Sequence, residues 1–341
     1  MSGLAVIGCG RIGRLHAQIL ARHPRAHLVY VFDVDPQVAG KTARELGVAA
    51  AASLEDVLAD RAVDAVLIAS PTATHLQLVS SAVKAGKAVF CEKPLDLNLE
   101  PALACWRELE PYDPVVMVGF NRRFDASFSA LHARLHAGAI GTLELAVITS
   151  RDPAPPTAEY LQGSGGLFRD MTIHDFDMAR WLGGEIVAVH ALGANLVGPV
   201  FAELRDIDTC VLSLRTATGA LIQINNSRRC VYGYDQRIEA FGSQGMLQAH
   251  NQHATSLEIW DAQHTAAKDG VVDFFVRRYQ QAYAAEIDAF IDALQNDRPV
   301  SPGFADGIAA QRLALAAEQS LQTGRTIRLG PAESEAQVTS R

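Results

Sequence analysis

The chain lacks the residues for a covalent or metal-clamped framework. Its five cysteines, at positions 9, 91, 105, 210 and 230, are odd in number, form no Cys-x-x-Cys pair and show no Cys/His metal spacing. They read as reduced thiols of a cytosolic, and hence cytoplasmic, protein. No uninterrupted apolar run reaches the ~20 residues needed to cross a bilayer. Met1-Ser2 leads straight into an apolar strand, so neither a membrane partner nor a signal peptide is expected. Basic clusters are missing too: 38 acidic residues against 30 basic ones give a formal charge of −8, which argues against nucleic acid as a partner. What remains is a globular chain of 341 residues, 49% hydrophobic, longer than the roughly 250–300 at which a single core stops growing. Two domains are expected.

The first positive signal is Leu4-Ala5-Val6-Ile7 running into Gly8-Cys9-Gly10-Arg11-Ile12-Gly13. A Gly-x-Gly-x-x-Gly pattern alone is weak, with about 0.15 chance occurrences at this glycine content. Its context is specific. A strand precedes it, a helical stripe of Ile12, Leu15, Ile19 and Leu20 follows, and a second strand, Leu28–Phe32, ends in Asp33, twenty residues past Gly13. This is a dinucleotide fingerprint: Gly8 for the turn, Gly10 for close approach of the pyrophosphate, Gly13 for packing of helix on strand, and the helix N-terminus for the phosphates. A carboxylate at Asp33 binds ribose hydroxyls and repels a 2′-phosphate, which favours NAD over NADP. Asp35, just before Pro36, reads as a helix N-cap.

Short strands and helices alternate up to Val115–Val118, predicting an α/β domain with about six parallel strands over residues 1–121. Longer strands follow near 143–150, 186–196, 208–215, 220–227 and 235–242, so residues 122–330 read as an α+β domain with a large, mostly antiparallel open sheet. Residues 331–341 lack apolar periodicity and read as a mobile tail.

Two clusters carry chemistry. At the carboxyl edge of the first sheet, where open parallel sheets bind ligands, stand Ser70-Pro71-Thr72-Ala73-Thr74-His75 and Glu92-Lys93-Pro94. Ser70, Thr72, His75, Glu92 and Lys93 are therefore candidates for contact with the cofactor, as are Arg11 and Ile12 in the glycine loop; His75 is equally suited to capping the helix that follows. Lys93 can polarise a substrate oxygen. In the second domain, Asp170 and His174 are four residues apart after the glycine-rich Gly163–Gly166, on one face of a helix running through Ala179 and Leu182. A carboxylate beside an imidazole orients it and raises its basicity, as a base removing a hydroxyl proton requires. Asp170, His174, Asp175 and Asp177 could also supply metal ligands, but Lys93 already provides the positive charge, and no metal is expected.

Taken together, Gly8-x-Gly10-x-x-Gly13, Ser70-Pro71-Thr72-x-x-His75, Glu92-Lys93-Pro94 and Asp170-x-x-x-His174 resemble the glucose-fructose oxidoreductase / inositol dehydrogenase / rhizopine catabolism family over nearly the whole chain. The stretches 119–125, 168–180 and 232–237 most resemble its inositol 2-dehydrogenases. The resemblance implies a Rossmann domain plus an open-sheet domain that forms the substrate floor and mediates tetramerisation. It also implies Lys93, Asp170 and His174 as the catalytic set. Candidates for binding the remaining hydroxyls of a cyclic polyol or sugar are Arg122, Asp152, Tyr232, Tyr234 and Tyr283, the tyrosines being equally explicable by packing. The expected reaction is NAD-dependent oxidation of myo-inositol to its 2-ketone. The departures Asn121 and Asp152 keep scyllo-inositol or an aldose of the L-glucose type open as substrates. A non-catalytic NAD-binding regulator on the same fold is the alternative of another class.

Overall fold

The computed structural model describes residues 1–330; the expected tail at 331–341 lies outside the described residues. The chain forms two compact units, one made of Met1–Asn121 and Tyr283–Gln311, the other of Arg122–Ala282 and the chain from Arg312 onward. The first break falls after Asn121. Residues 122–330, however, do not stay together, because Tyr283–Gln311 returns to the first unit.

That return has local causes. In the helix Gln280–Asn296, Phe290 meets Phe90 edge-on with ring centroids 5.8 Å apart. Asp288 accepts from Arg25 at 2.6 Å and Gln295 donates to the Arg25 carbonyl at 2.9 Å. At the start of the helix Phe304–Thr323, Phe304 stacks on Trp106 at 4.9 Å. None of the partners Phe90, Arg25 and Trp106 is near in sequence, so helical periodicity alone does not reveal the exchange.

The first unit is built on six parallel strands, β1 (Ser2–Ile7), β2 (Ala26–Phe32), β3 (Ala49–Ala50), β4 (Ala65–Ile68), β5 (Ala88–Glu92) and β6 (Val116–Gly119), in the order β3-β2-β1-β4-β5-β6. Strands β1 and β4 are buried throughout, as expected for a parallel sheet covered on both faces. The order reverses between β1 and β4, which places the ligand crevice at their carboxyl ends.

The second unit holds a seven-stranded sheet made of β7 (Leu143–Arg151), β8 (Ile186–Ala194), β9 (Thr209–Thr216), β10 (Leu221–Ser227), β11 (Asp235–Gly242), β12 (Gly245–Ala249) and a last short strand, with β13 (Glu258–Ile259) and β14 (Ala267–Lys268) forming a separate pair. The last strand is β15 (Ile327–Arg328), and the order is β12-β11-β7-β10-β9-β8-β15. All its pairings are antiparallel except β7 with β10. Strict alternation in β9 buries Cys210, Leu212 and Leu214 and exposes Val211, Ser213 and Arg215. One face therefore carries the core, which includes Phe176 and Ala179 of the helix Thr172–Gly183, and the other is open.

The glycine loop is sterically closed at two of its three glycines. Gly8 has φ +92°, and a Cβ added at Gly13 would lie 1.8 Å from the Gly8 carbonyl oxygen. Gly13→Ala should therefore displace the loop, costing about 1–3 kcal/mol as forced overpacking does. Denaturant unfolding should show the loss, and NAD titration should show weakened binding.

Candidate active site

Gly10 differs from its neighbours: a Cβ there would meet nothing within 4 Å. It caps the helix Arg11–Leu20 without a side-chain hydrogen bond of its own, the kind of helix N-terminus that suits an anion. Arg11 is exposed and Ile12 half-buried in that first turn. The Asp33 carboxylate accepts from the Cys9 amide at 2.7 Å and from the Asp35 amide at 3.0 Å, which holds it at the mouth of the loop. Asp35 accepts from the Gln37 amide at 2.9 Å and is the N-cap expected of it. The residues fit a dinucleotide: an open glycine, a helix N-terminus without a side-chain cap and a fixed carboxylate.

Along the sheet edge, Ser70 abuts the glycine loop, its amide only 2.6 Å from where a Gly8 Cβ would stand. The Ser70 hydroxyl pairs with that of Thr74 at 2.7 Å, and Thr72 opens the short turn Thr72–Thr74. His75 departs from the cofactor reading. It is 1% exposed, with Nδ1 2.8 Å from the Pro94 carbonyl oxygen and Nε2 2.9 Å from that of Ser70. It ties the loop after β4 to the residue that follows Lys93, so its action is through position. Lys93 itself is half-buried just past β5. Glu92 also points inward, with Oε1 2.7 Å from His16 Nε2. Tyr283 lies against the same imidazole, edge-on at 5.6 Å. Both had been candidates for ligand contact and are instead engaged within the first unit.

In the second unit the helix expected around Asp170 is broken at Met171. Asp170 ends the turn Leu167–Asp170 and His174 sits in the first turn of Thr172–Gly183, with its amide bonded to the Met171 carbonyl at 3.3 Å. Two residues that the motifs did not flag fix the Asp170 carboxylate. Tyr160 donates to Oδ1 at 2.7 Å, and Arg228 donates to Oδ2 at 2.7 Å. Arg228, 2% exposed, also donates to Asp152 at 3.0 Å. Burial alone would lower the Arg228 pKa, but Asp170 and Asp152 outweigh it and hold the guanidinium above its usual range. Burial, then the Asp170 charge, push the Tyr160 phenol well up, so it stays a donor. Burial pushes Asp152 up against the opposing pull of Arg228. Arg228 directly follows β10, and the consecutive Ser227-Arg228-Arg229 was its only sequence signal.

Arg122, expected to bind substrate hydroxyls, is committed elsewhere. It is 4% exposed and donates to Ser150 at 2.9 Å and to Asp175 at 2.5 Å. Asp175 is fully buried and also accepts from Asn226 at 2.8 Å. Asp177 is likewise buried and paired with Arg123 at 2.9 Å. These aspartates neutralise arginines in the core, where a buried charge must be paired. Tyr232 donates to Asp235 at 2.6 Å and accepts from Arg151 at 2.9 Å; burial, then the Asp235 bond, push its phenol up to about 12. Tyr234 is 6% exposed and edge-on to Tyr279 at 6.0 Å. All five cysteines are free and buried, and burial raises the thiols of Cys9, Cys91, Cys105 and Cys210.

The open Gly10, the fixed Asp33 and the reversal of strand order define an NAD-binding Rossmann unit. Residues 3–120 match the oxidoreductase family with an NAD-binding Rossmann fold, and residues 128–248 match the GFO/IDH/MocA C-terminal domain. The chain belongs to the glucose-fructose oxidoreductase / inositol dehydrogenase / rhizopine catabolism family. It is 44% identical over 328 residues to the inositol 2-dehydrogenase of Rhizobium meliloti, covering 94% of this chain and 97% of that one. The crystal structure of a myo-inositol dehydrogenase from Corynebacterium glutamicum superposes with a TM-score of 0.94 at 46% identity, covering 97% and 100%. A scyllo-inositol dehydrogenase from Lactobacillus casei, with bound NAD(H) and scyllo-inositol, gives 0.89 at 29% identity, covering 96% and 99%.

Arg122→Met should leave Asp175 buried without its counter-ion and cost about 3–5 kcal/mol. Urea unfolding should show that loss directly. Unchanged stability with a raised KM for the polyol would instead return Arg122 to the substrate.

Proposed function

We propose that this protein oxidises a ring secondary alcohol of a cyclic polyol, with myo-inositol converted to 2-keto-myo-inositol. The observation that carries the reading is the Asp170 carboxylate gripped by Arg228 and Tyr160 and followed four residues on by His174. With two oxygens held in place, Asp170 can orient the imidazole and balance the positive charge it gains. His174 takes the hydroxyl proton. Lys93 donates a hydrogen bond to the same oxygen and stabilises it as the carbonyl forms. Bound NAD, held by Gly8, Gly10, Gly13 and Asp33, supplies the acceptor for the carbon-bound hydrogen and its electron pair. Asp152, fixed by Arg228, and Tyr234, whose hydroxyl has no hydrogen-bond partner among the described residues, take further hydroxyls. The inositol dehydrogenases among its relatives support the substrate class.

A homotetramer in the cytosol completes the reading. The open face of the second sheet carries an apolar row across four strands: Met246 pairs with Phe241, Phe241 with Leu145, and Leu145 with Leu221, each 39–48% exposed. Such a row suits burial against another copy. The five buried free thiols suit a reducing compartment.

His174→Ala should lower turnover by roughly two to four decades with NAD affinity unchanged, as read by steady-state kinetics and NAD titration; half-maximal activity retained across pH would make the pair structural. Separately, reduced-nicotinamide absorbance with myo-inositol, scyllo-inositol, D-glucose and L-glucose, each with NAD and NADP, should give the highest kcat/KM for myo-inositol with NAD. Because specificity is the ratio of kcat/KM values, a rival polyol ahead by about tenfold or more would replace the substrate while leaving the family intact.

A further inference from the structure

Beneath the glycine loop of the first unit lies a buried cluster that the reaction does not use. His16, on the helix Arg11–Leu20, is 0% exposed and held edge-on by Phe90 at 5.4 Å and Tyr283 at 5.6 Å. Its Nε2 is 2.7 Å from Glu92 Oε1. Glu286, on the helix Gln280–Asn296, is 0% exposed, and neither of its carboxyl oxygens has a hydrogen-bond partner. One ligand atom from each of His16, Glu92 and Glu286 lies within 4.8 Å of the other two. Gly119 makes room for the group, since a Cβ there would come within 3.0 Å of the Glu92 carboxyl.

A second carboxylate this close to Glu92, fully buried and without a donor, is disfavoured in its ionised form. An ionised Glu286 with no donor would cost several kcal/mol of lost hydration. A proton on Glu286 removes that charge from beside Glu92. We propose that Glu286 is a positioning residue that carries a proton beside Glu92, so that the end of β5 bears one carboxylate charge, and that the protonation of Glu286 is coupled to the redox state of the cofactor. Burial, then the Glu92 charge, raise the Glu286 acid well above the usual carboxylate range, in keeping with this. The groups facing Glu286 from neighbouring elements are Glu92 on β5 and His16 on the helix after the glycine loop, and Tyr283 shares its own helix.

The coupling follows from where Glu92 stands. In a sheet of this order the β1–β3 half takes the adenosine nucleotide and the β4–β6 half takes the nicotinamide nucleotide. Glu92 closes β5, directly before Lys93. An oxidised nicotinamide ring is cationic and a reduced one is neutral. The oxidised ring therefore favours the doubly ionised pair and the reduced ring favours the protonated pair. Because Glu286 is raised, the ionised pair gains population as pH rises. NAD should thus tighten relative to NADH with increasing pH, by the usual reciprocity of linked equilibria. The inference rests on NAD binding and is independent of which polyol is the substrate.

The test is cofactor binding without substrate. Dissociation constants for NAD and NADH are measured by calorimetry from about pH 6 to about pH 9 on wild type, Glu286→Gln and Glu286→Leu. In the wild type the ratio Kd(NAD)/Kd(NADH) should fall roughly fivefold or more, the lower end of typical site–site coupling. It should be flat in both variants. Gln keeps the size and can donate to Glu92, whereas Leu removes the polar group altogether, so at least one variant should fold with a near-native Tm. A flat wild-type ratio, or a folded variant that keeps the wild-type slope, overturns the proposal. So does stoichiometric metal in purified wild type that is absent from both variants, since a cation would then be neutralising the acids.

Discussion

Neutralising buried carboxylates is the constraint on which the second unit depends. Asp170, Asp175 and Asp177 lie within eight sequence positions at or near the start of one helix, and all three are buried. Each must meet a cation before the helix can pack on its sheet. Arg122 and Arg123 arrive from the turn Asn121–Phe124, and Arg228 from directly after β10. Satisfying Asp170 this way leaves its carboxylate fixed on both oxygens. The same pairings that let the helix bury its apolar side thus set the orientation of the group placed before His174.

Much of this was legible in the chain. Apolar alternation located the long strands to within a few residues, for example 208–215 against the observed Thr209–Thr216. Spacing and local chemistry separated Asp33, at the glycine loop, from Asp35, the N-cap. Both depend on neighbours close in sequence or on a recurrent motif. The parallel sheet, the mixed open sheet and the NAD fingerprint belong to this legible part.

Residues whose partners the sequence did not name share a different cause. Arg122 sits at the edge of the first sheet in sequence, and its role is decided by Asp175, 53 positions away. His75 looks outward until the Pro94 carbonyl, 19 residues on, is placed beside it. The direction of a polar side chain is a property of the tertiary partner, and one sequence does not name that partner. Glu286 is the instructive exception. It occupies an apolar stripe with Tyr283, Phe290 and Ala293, and a carboxylate in such a stripe is itself a sign of a buried charge that needs an explanation.

The return of Tyr283–Gln311 to the first unit bears on how the protein is made. A ribosome that has delivered Met1–Asn121 has supplied every strand of the parallel sheet but not the helix that covers Phe90 and engages Arg25. The nucleotide-binding half must wait, with that face uncovered, until Arg122–Ala282 has been synthesised. Each unit therefore closes on a segment delivered late, the first on Tyr283–Gln311 and the second on the chain from Arg312 through β15.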